Sequence, residues 1–261
     1  MSSGNKSSVS NYEFSILSNE TVGKKILHFK TLDSTNQYAL DMINEGVSDG
    51  TVILSDVQKK GKGRKKRFWY SPLGGLWFSV ILYPKIHPEK AMLITMTASV
   101  SISEAIKEVT GLDTEIKWPN DILLHKKKLC GILTELESDN DSIKYAIVGI
   151  GINVNNNISV ELKETAISIK EAKGIEIPLI ELFYEILKRF DINYNSLKTK
   201  KFDKIRDSWL TLSNIVGRRV EINQDDKIIH GYVCDIDKNG HLVVNTGMVE
   251  EIINIGDIKY L

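Results

Sequence analysis

The sequence predicts an α+β protein in two parts, a mixed central sheet flanked by helices and a small β-barrel at the carboxyl end. Apolar strand-like runs and amphipathic helical segments fill the chain up to about Leu212. After Asn214 the pattern changes to short alternating segments separated by polar or glycine turns, which is typical of a barrel of four or five strands. We therefore expect a disordered leader over 1–22, a main domain over 23–212 and a barrel over 213–261.

The bulk composition excludes several classes of protein. The formal net charge of the 261 residues is zero, so the chain as a whole is not a polyanion binder. No apolar run is long enough to cross a membrane, and the segment Met1–Asn11 lacks the apolar core of a secretory signal. Cys130 and Cys234 lie far apart and in no metal-ligand spacing, so we expect a reducing, cytoplasmic compartment without disulfides.

A short strand over Lys24–Phe29 and a helix over Gln37–Ile43 open the main domain. Apolar residues of the helix recur at helical spacing, and polar residues just before it can serve as the N-cap. Spacing alone favours a purely capping role for Ser34, Thr35 and Asn36. The same groups at a helix start would also suit a carboxylate or a urea-like ligand, so both interpretations stay open.

A strongly cationic segment follows. Seven of the nine residues from Lys59 to Arg67 are lysine or arginine, and the other two are glycine. Such runs are usually solvated surface, targeting signals or nonspecific nucleic-acid contacts. Here the run lies between two strand-like segments, Thr51–Ser55 and Leu76–Leu82, which favours a loop that becomes ordered over a phosphate-bearing ligand. Because its charges repel and no apolar side chain anchors it, we expect this loop to be mobile when empty.

Longer elements complete the main domain. Amphipathic spacing predicts helices over His87–Val109, Leu179–Tyr194 and Phe202–Leu212. One bent strand over Glu115–Leu124, interrupted by Pro119, is predicted to pair with a strand over Lys128–Leu136. This pairing would carry Lys117 and Lys128 at opposite strand ends. The last strand, Ile143–Ile152, contains Gly149 and Gly151, which indicate close approach of backbone or ligand.

Five motifs stand in order along the chain. They are Ser34-Thr35-Asn36, the segment Gln58–Trp69, Ser71-Pro72 with Gly74-Gly75-Leu76, Lys117–Asp121 with Lys128, Gly131-Ile132-Leu133 and Glu135, and the segment Gly149–Asn155. Together they resemble the biotin–protein ligase family, also called biotin–[acetyl-CoA-carboxylase] ligase, from about Leu27 to the carboxyl terminus. A single Gly-x-Gly would be weak, whereas five ordered motifs at compatible spacing are specific.

The resemblance implies a class II synthetase-like fold of the biotin/lipoate ligase type with an SH3-like barrel, in which 23–212 is the catalytic domain. It also implies that ATP, with Mg²⁺, adenylates biotin to biotinyl-5′-AMP. A lysine of a biotin carboxyl carrier protein domain then takes the biotinyl group. Both steps develop charge on phosphoryl or acyl oxygens, so positioning and charge stabilisation would dominate catalysis.

The resemblance also assigns roles to individual residues. Biotin would contact Ser34, Thr35, Asn36, Gln58, Lys62, Gly63, Arg64, Lys128 and Gly131. ATP or the adenylate would contact Lys62, Arg64, Arg67, Trp69, Asn120, Lys128 and Asn153, with Trp69 stacked on adenine. The implied catalytic residues are Lys128 and Arg64, with Lys117 as electrostatic support, and Asp121 is the candidate Mg²⁺ ligand.

The sequence departs from the family pattern at two positions of the loop. Lys62 stands where the family usually has arginine, which keeps the charge but loses bidentate geometry, and Lys66 stands where glycine is frequent. Only about twenty residues precede the first strand, too few for the winged-helix domain of some members. We therefore expect no DNA binding. Homodimerisation through a sheet edge, seen in the family, is left undecided by the sequence.

Three other functions compete with this interpretation. A lipoate–protein ligase shares the fold and the adenylation chemistry, but the Lys117–Asp121 motif and the terminal barrel argue against it. An octanoyltransferase needs a cysteine nucleophile, and Cys130 lies in an apolar strand where a thiol is usually inert. A nucleic-acid-binding module using Lys59–Arg67 would bind with strong salt dependence and would leave Lys117 and Lys128 unexplained.

Overall fold

The protein contains a mixed seven-stranded sheet and a five-stranded antiparallel sheet. The computed structural model describes residues 18–224 and 227–261. The strands are β1 Ile26–Leu32, β2 Thr51–Gln58, β3 Leu76–Leu82, β4 Glu115–Lys117, β5 Asp121–Leu124, β6 Lys127–Ser138, β7 Ile143–Ile152, β8 Arg219–Gln224, β9 Lys227–Ile236, β10 Leu242–Asn245, β11 Glu250–Ile253 and β12 Asp257–Tyr260. The helices are α1 Thr35–Ile43, α2 Ala91–Thr110, α3 Ile169–Lys173, α4 Leu179–Lys198 and α5 Phe202–Ser213. This arrangement confirms the predicted α+β class.

The large sheet has the order β1-β2-β3-β7-β6-β5-β4, with β1 and β2 parallel and the other neighbours antiparallel. All seven residues of β3 are buried, as expected for a central strand covered on both faces. The register between the two central strands sets Ser79 opposite Gly149 and Trp77 opposite Gly151. Ser79 and Gly149 therefore lie side by side at the centre of the sheet, and Gly151 lies beside Trp77.

The two faces of the sheet are covered differently. Helices α2, α4 and α5 pack on one face and form the main core with alternate residues of β7, including Val148 and Ile150. The short helix α1 covers part of the other face through a small cluster that contains Phe29, Ala39 and Ile147. On this second face β7 continues with glycines, which have no side chain to fill the space. The open part of that face is where the site lies.

The start of the described chain corrects one prediction. Asn19 and Val22, assigned to a disordered leader, are buried against the body of the protein. Both oxygens of the Asp191 carboxylate in α4 accept hydrogen bonds from the backbone N–H groups of residues 20–22, at 2.7–2.8 Å. A buried carboxylate needs such donors, and here it fixes the segment before β1. The leader prediction is therefore wrong for Asn19–Val22, and its positions 1–17 lie outside the described residues.

The predicted bent strand over 115–124 is also corrected, because it is two strands joined by a tight turn. β4 and β5 pair with each other, with Lys117 opposite Asp121. The turn contains Pro119, which has no N–H to offer to a ladder, so the chain reverses there rather than bending through. Reversal brings Asn120 to the tip of the turn, beside β6.

The C-terminal sheet has the order β11-β10-β9-β8-β12 and matches the predicted small β domain. Its buried face, with Ile222 and Val244, is continuous with the main core. Charged contacts add to this junction, since Arg206 of α5 pairs with Asp235 at 2.6 Å. Across the described ranges, no helix has the length and apolarity needed to span a membrane.

Candidate active site

A cavity of about 310 Å³ opens beside the start of α1. Its lining includes every predicted site residue except Lys117, namely Ser34, Thr35, Asn36, Gln58, Lys62, Gly63, Arg64, Arg67, Trp69, Asn120, Asp121, Lys128, Gly131 and Asn153. These residues come from the start of α1, the end of β2, the cationic loop (residues 59–67) and the segment just after it, the β4–β5 turn with the start of β5, the strand β6 and the end of β7. The fold therefore gathers residues that are widely separated in sequence around one concave surface.

One end of the cavity, which we call the neutral end, is built from Ser34, Thr35, Asn36, Gln58 and Ser79. The Ser34 hydroxyl accepts a hydrogen bond from the Gln37 N–H at 3.4 Å, which confirms the N-cap at this residue. Thr35 and Asn36 do more than cap the helix. Both the backbone N–H and the hydroxyl of Thr35 donate to Gln58 Oε1, at 2.8 and 3.0 Å. The helix start is thereby tied to the end of β2.

Ser79 and Gly149 lock the Asn36 amide in place. The Ser79 hydroxyl oxygen lies 2.6 Å from Asn36 Oδ1 and 2.7 Å from Thr35 Oγ1. The Asn36 amide nitrogen donates to Glu135 Oε2 at 2.6 Å. A Cβ on Gly149 would lie 2.1 Å from Asn36 Oδ1, so only glycine fits there. Neither Ser79 nor Gly149 was assigned to the site from the sequence, although a serine within the apolar run of β3 was a usable signal.

The cationic loop forms the other end and has anchors that its composition does not reveal. The Arg64 guanidinium donates to Asn120 Oδ1 at 3.0 Å and to the Gly256 carbonyl at 3.1 Å. The Asp257 carboxylate lies 3.3–3.4 Å from Arg64, Lys65 and Arg67. Carboxylate and carbonyl oxygens therefore hold the loop, whereas the sequence analysis considered only apolar side chains as anchors. Its mobility stays a prediction.

Two lysines of the loop make exposed contacts. Lys62 donates to Gln37 Oε1 at 2.8 Å, on the outer side of α1. Lys60 pairs with Asp33 at 2.7 Å, and this hydrogen bond lowers the pKa of the Asp33 carboxyl. Both ammonium groups are well hydrated, so these contacts are easily exchanged for other partners.

Lys128 and Trp69 form the wall between the two ends. The Lys128 ammonium lies 2.7 Å from Asp121 Oδ1 and 5.2 Å from the centroid of the Trp69 ring. The indole packs flat against glycines, since a Cβ on Gly151 would lie 2.3 Å from its Nε1 and a Cβ on Gly131 would lie 3.0 Å from its Cζ3. Glycine at both positions leaves room for the ring. An aromatic face beside a lysine suits a base attached to a phosphate.

Asn153 and a neighbouring irregular segment close the far wall. The Asn153 side-chain oxygen accepts a hydrogen bond from Asn156 at 3.0 Å, and both residues are buried. The segment from 157 to 166 also lines the cavity. The backbone N–H of Lys128 donates to the Thr165 carbonyl, and the Lys128 carbonyl accepts from the N–H of Ile167, the residue after this segment. No residue of this segment was assigned to the site from the sequence.

Lys117 is the one predicted site residue that lies elsewhere. Its ammonium is 5.7 Å from the centroid of the Tyr260 ring, at the junction with the C-terminal domain. Burial raises the pKa of the Tyr260 hydroxyl to about 12, so the ring stays neutral and presents its face to the lysine. Lys117 does not line the cavity, and its electrostatic support of the reaction stays a prediction.

Two further predictions concern Asp121 and Cys130. The described residues contain no cluster of three or more histidine, cysteine or acidic side chains that could cage a metal ion. A single carboxylate beside a triphosphate nevertheless fits Mg²⁺, which keeps several waters and binds through one or two carboxylates plus phosphate oxygens. Cys130 is fully buried, and burial raises the pKa of its thiol. A protonated, inaccessible thiol cannot act as an acyl-transfer nucleophile.

Two family models match the chain. The Biotin/lipoate A/B protein ligase family matches residues 28–153, and the Biotin protein ligase C terminal domain matches residues 215–259. The first covers the cavity-forming part of the large sheet, and the second covers the small β domain. Fold and site thus define a protein ligase of the biotin/lipoate class.

The individual proteins most informative for this chain are biotin ligases. The Bifunctional ligase/repressor BirA of Bacillus subtilis is 34% identical over 247 residues, covering 93% of this chain and 76% of that protein. The Biotin--[acetyl-CoA-carboxylase] ligase of Paracoccus denitrificans is 26% identical, covering 87% of this chain and 97% of that protein. A solved structure of the Aquifex aeolicus biotin protein ligase, in complex with biotin and ATP, superposes with a TM-score of 0.79 at 30% identity, covering 91% of this chain and 99% of that one. The chain belongs to the biotin protein ligase family and is a ligase.

Proposed function

We propose that this chain activates biotin with ATP, forming biotinyl-5′-AMP and pyrophosphate, and transfers the biotinyl group to a lysine of a biotin carboxyl carrier protein domain. The observation that carries the proposal is the single cavity lined by nearly all the predicted biotin and adenylate residues. Its neutral end and its cationic loop match a ligand with an uncharged ring at one end and an acyl phosphate at the other. The Aquifex aeolicus relative, which binds biotin and ATP, supports the same assignment.

Side chains that the protein already holds in place before binding would recognise the uncharged ring of biotin. Thr35 and Asn36 are buried and already oriented by Gln58, Ser79 and Glu135. A urea-like group offers both N–H donors and a carbonyl acceptor, and amide and hydroxyl side chains can satisfy both. Because these groups need no reorientation, little conformational entropy is lost on binding.

The first chemical step is attack of a biotin carboxylate oxygen on the α-phosphorus of ATP. A P–O bond forms to biotin, the bond to the β-phosphate oxygen breaks, and pyrophosphate leaves with that electron pair. Arg64 and Lys128 lie on the cavity wall and can stabilise the charge on the phosphoryl oxygens. The step needs no nucleophile from the protein, in keeping with the buried Cys130.

The second step forms the amide. The uncharged amine of the carrier lysine attacks the acyl carbon, AMP leaves with the electron pair of the acyl–oxygen bond, and the amine nitrogen gives up a proton. The same cations can stabilise the departing phosphate. Mg²⁺, bound by the phosphates and Asp121, would offset triphosphate charge during activation. No described side chain needs to form a covalent bond to the substrate.

Incubating the protein with biotin, Mg²⁺ and α-labelled ATP tests the proposal. Labelled biotinyl-adenylate should form, with one pyrophosphate released for each molecule. Adding a carrier domain should transfer biotin to one of its lysines, which is measured as an increase in the mass of the carrier. Lipoate replaces biotin in a parallel reaction. Activation of lipoate alone would make the protein a lipoate ligase, and absence of any adenylate would refute the proposal.

Nucleic-acid binding is the less favoured alternative. The cationic loop is partly neutralised by Asp257 and Asp33, and Arg64 lines a concave cavity rather than a flat surface. A phosphate-tracking surface would instead present free cations to solvent. Tight, salt-sensitive binding of DNA that competes with adenylation would favour the alternative.

A further inference from the structure

We propose that Asp257, in the C-terminal β domain, is a positioning residue for biotin adenylation that acts through Arg64. The inference rests on the proposed function and adds to it a residue from outside the catalytic domain. Asp257 is the first residue of β12, and it lines the same cavity as Arg64. No described contact suggests that the carboxylate itself meets the substrate. Its effect on the reaction would come from holding the guanidinium.

The contacts of Asp257 gather three cations of the loop. Its Oδ1 lies 3.4 Å from Nη1 of Arg64, and its Oδ2 lies 3.3 Å from Nη2 of Arg67 and 3.4 Å from Nζ of Lys65. Cations this close repel one another and would spread the loop away from the cavity. A carboxylate between them offsets that repulsion and keeps them on one side of the loop.

Among the three, Arg64 is the cation whose position this contact fixes. Its side chain is 20% exposed, whereas that of Arg67 is 70% exposed. Arg64 is also held from two directions, by Asn120 Oδ1 of the β4–β5 turn and by the Gly256 carbonyl next to Asp257. A planar guanidinium with three acceptors around it has one orientation. The C-terminal domain supplies two of those three acceptors.

The carboxylate is itself well supported. Asp257 pairs with Asn223 in the sheet, and a Cβ on Gly256 would lie 2.7 Å from Ile222 Cγ2, so the backbone there packs tightly. At the far end of β12, the Tyr260 ring lies between two cations, 4.4 Å from Arg218 and 5.7 Å from Lys117. Lys117 therefore lies at the junction with the C-terminal domain. A strand fixed at both ends presents Asp257 in a constant position, as a positioning group requires.

A competing role for the same carboxylate predicts the opposite result. If Asp257 only occupied the place of a phosphate, removing it would free Arg64 and strengthen ATP binding. If it positions Arg64, removing it leaves the charge of the loop but loses its orientation. Small displacements of a catalytic group are costly, on the order of 100-fold for about 1 Å in a well-aligned site.

The test compares Asp257→Asn with the wild type in the adenylation assay, in the absence of a carrier. We expect the rate at saturating ATP to fall about tenfold or more, with Asp257→Glu recovering most of it. In an Arg64→Ala background, Asp257→Asn should have no further effect, because there is no guanidinium left to position. A purely structural role would lower the rate in both backgrounds and would also lower Tm.

Asp235→Asn is the matched control. It removes a carboxylate from the same domain. This carboxylate lies 2.6 Å from the Arg206 guanidinium and does not line the cavity. We expect its adenylation rate to equal that of the wild type. An unchanged or faster rate for Asp257→Asn, or an equal loss in the Arg64→Ala background, would overturn the inference. If the wild type itself formed no biotinyl-adenylate, the proposed function would fail, which is a separate outcome in the same assay.

Discussion

The neutral end and the cationic loop of the cavity are held by different kinds of interaction. Thr35, Asn36 and Ser79 are at most 4% exposed, and short hydrogen bonds between α1 and the strands of the large sheet fix them. Arg64, Lys128 and their neighbours are partly exposed and rest on carboxylates, one of which comes from the C-terminal domain. The end proposed to bind an uncharged ring is thus fixed by buried hydrogen bonds. The end proposed to meet phosphate is fixed by charged groups that stay partly exposed to solvent.

The energies of these contacts explain the division. A broken hydrogen bond that strands a buried polar group costs about 1–3 kcal/mol, whereas an exposed ion pair contributes about 0–1 kcal/mol. Rearranging the neutral end would therefore be costly, whereas the exposed contacts of the cationic loop, such as the Lys60–Asp33 pair, can be exchanged at little cost. The proposed binding of biotin and ATP would benefit from both properties.

The largest effect should come from Lys128, the cation on the wall between the two ends. Lys128→Ala should lower the rate of adenylate formation by about 100- to 1000-fold, because a preorganised charge beside the reacting phosphoryl oxygens is lost. Lys127→Ala is the control, since that ammonium reaches the Lys163 carbonyl instead of the cavity. Single-turnover assays with labelled ATP measure both. Equal losses in the two variants would remove the catalytic role from Lys128.

Two glycine substitutions should separate the ends of the cavity. An alanine methyl at Gly149 would collide with Asn36 Oδ1, and one at Gly151 would collide with Trp69 Nε1. Gly149→Ala should weaken biotin binding at least about tenfold while sparing ATP binding, and Gly151→Ala should do the reverse. Titration calorimetry with each ligand alone would show this. Identical losses of both ligands in both variants would mean that the two ends are not distinct.

Lys62 should matter less, although it stands where the family usually has arginine. Its ammonium is exposed and bonded to Gln37 on the outside of α1. Lys62→Arg should change the KM for ATP by less than about fivefold, because exposed charge contacts contribute about 0–1 kcal/mol. Steady-state adenylation gives this value. A change as large as that of Lys128→Ala would show that the ammonium leaves Gln37 and meets the phosphates during the reaction.

The smallest effect on activity should come from Cys130. Burial raises the pKa of its thiol, so the thiol stays protonated at neutral pH and the reactive thiolate is disfavoured. Iodoacetamide at neutral pH should label only the exposed Cys234 in the native protein and both cysteines after unfolding. Cys130→Ala should retain adenylation. Rapid native labelling of Cys130 with loss of activity would contradict this.

Local sequence patterns predicted much of the fold. The spacing of apolar residues predicted β3, β7 and the three long helices, and the motifs around Lys128 and the cationic loop indicated where ligand chemistry lies. These features depend on residues close in sequence, so they can be read without tertiary structure. The reversal at Pro119 was mistaken for a bend, because a tight turn and a kink have similar local composition.

The missed residues depend on contacts between distant segments. Asp257 meets the loop only because the C-terminal sheet packs against the rest of the protein, and nothing in its local sequence distinguishes it from a surface aspartate. Ser79 reaches Asn36 only because the register sets β3 beside the glycines of β7. The same holds for Asn19–Val22, whose backbone is fixed by a carboxylate in α4.

A crystal structure with biotin and a non-hydrolysable ATP analogue would test the central claim most directly. The account predicts the biotin ring against Thr35, Asn36 and Gly149, with the α-phosphate within hydrogen-bond distance of both Arg64 and Lys128. Biotin bound beside Trp69, or a phosphate on the outer surface of the loop contacting Lys60 and Lys66, would contradict it.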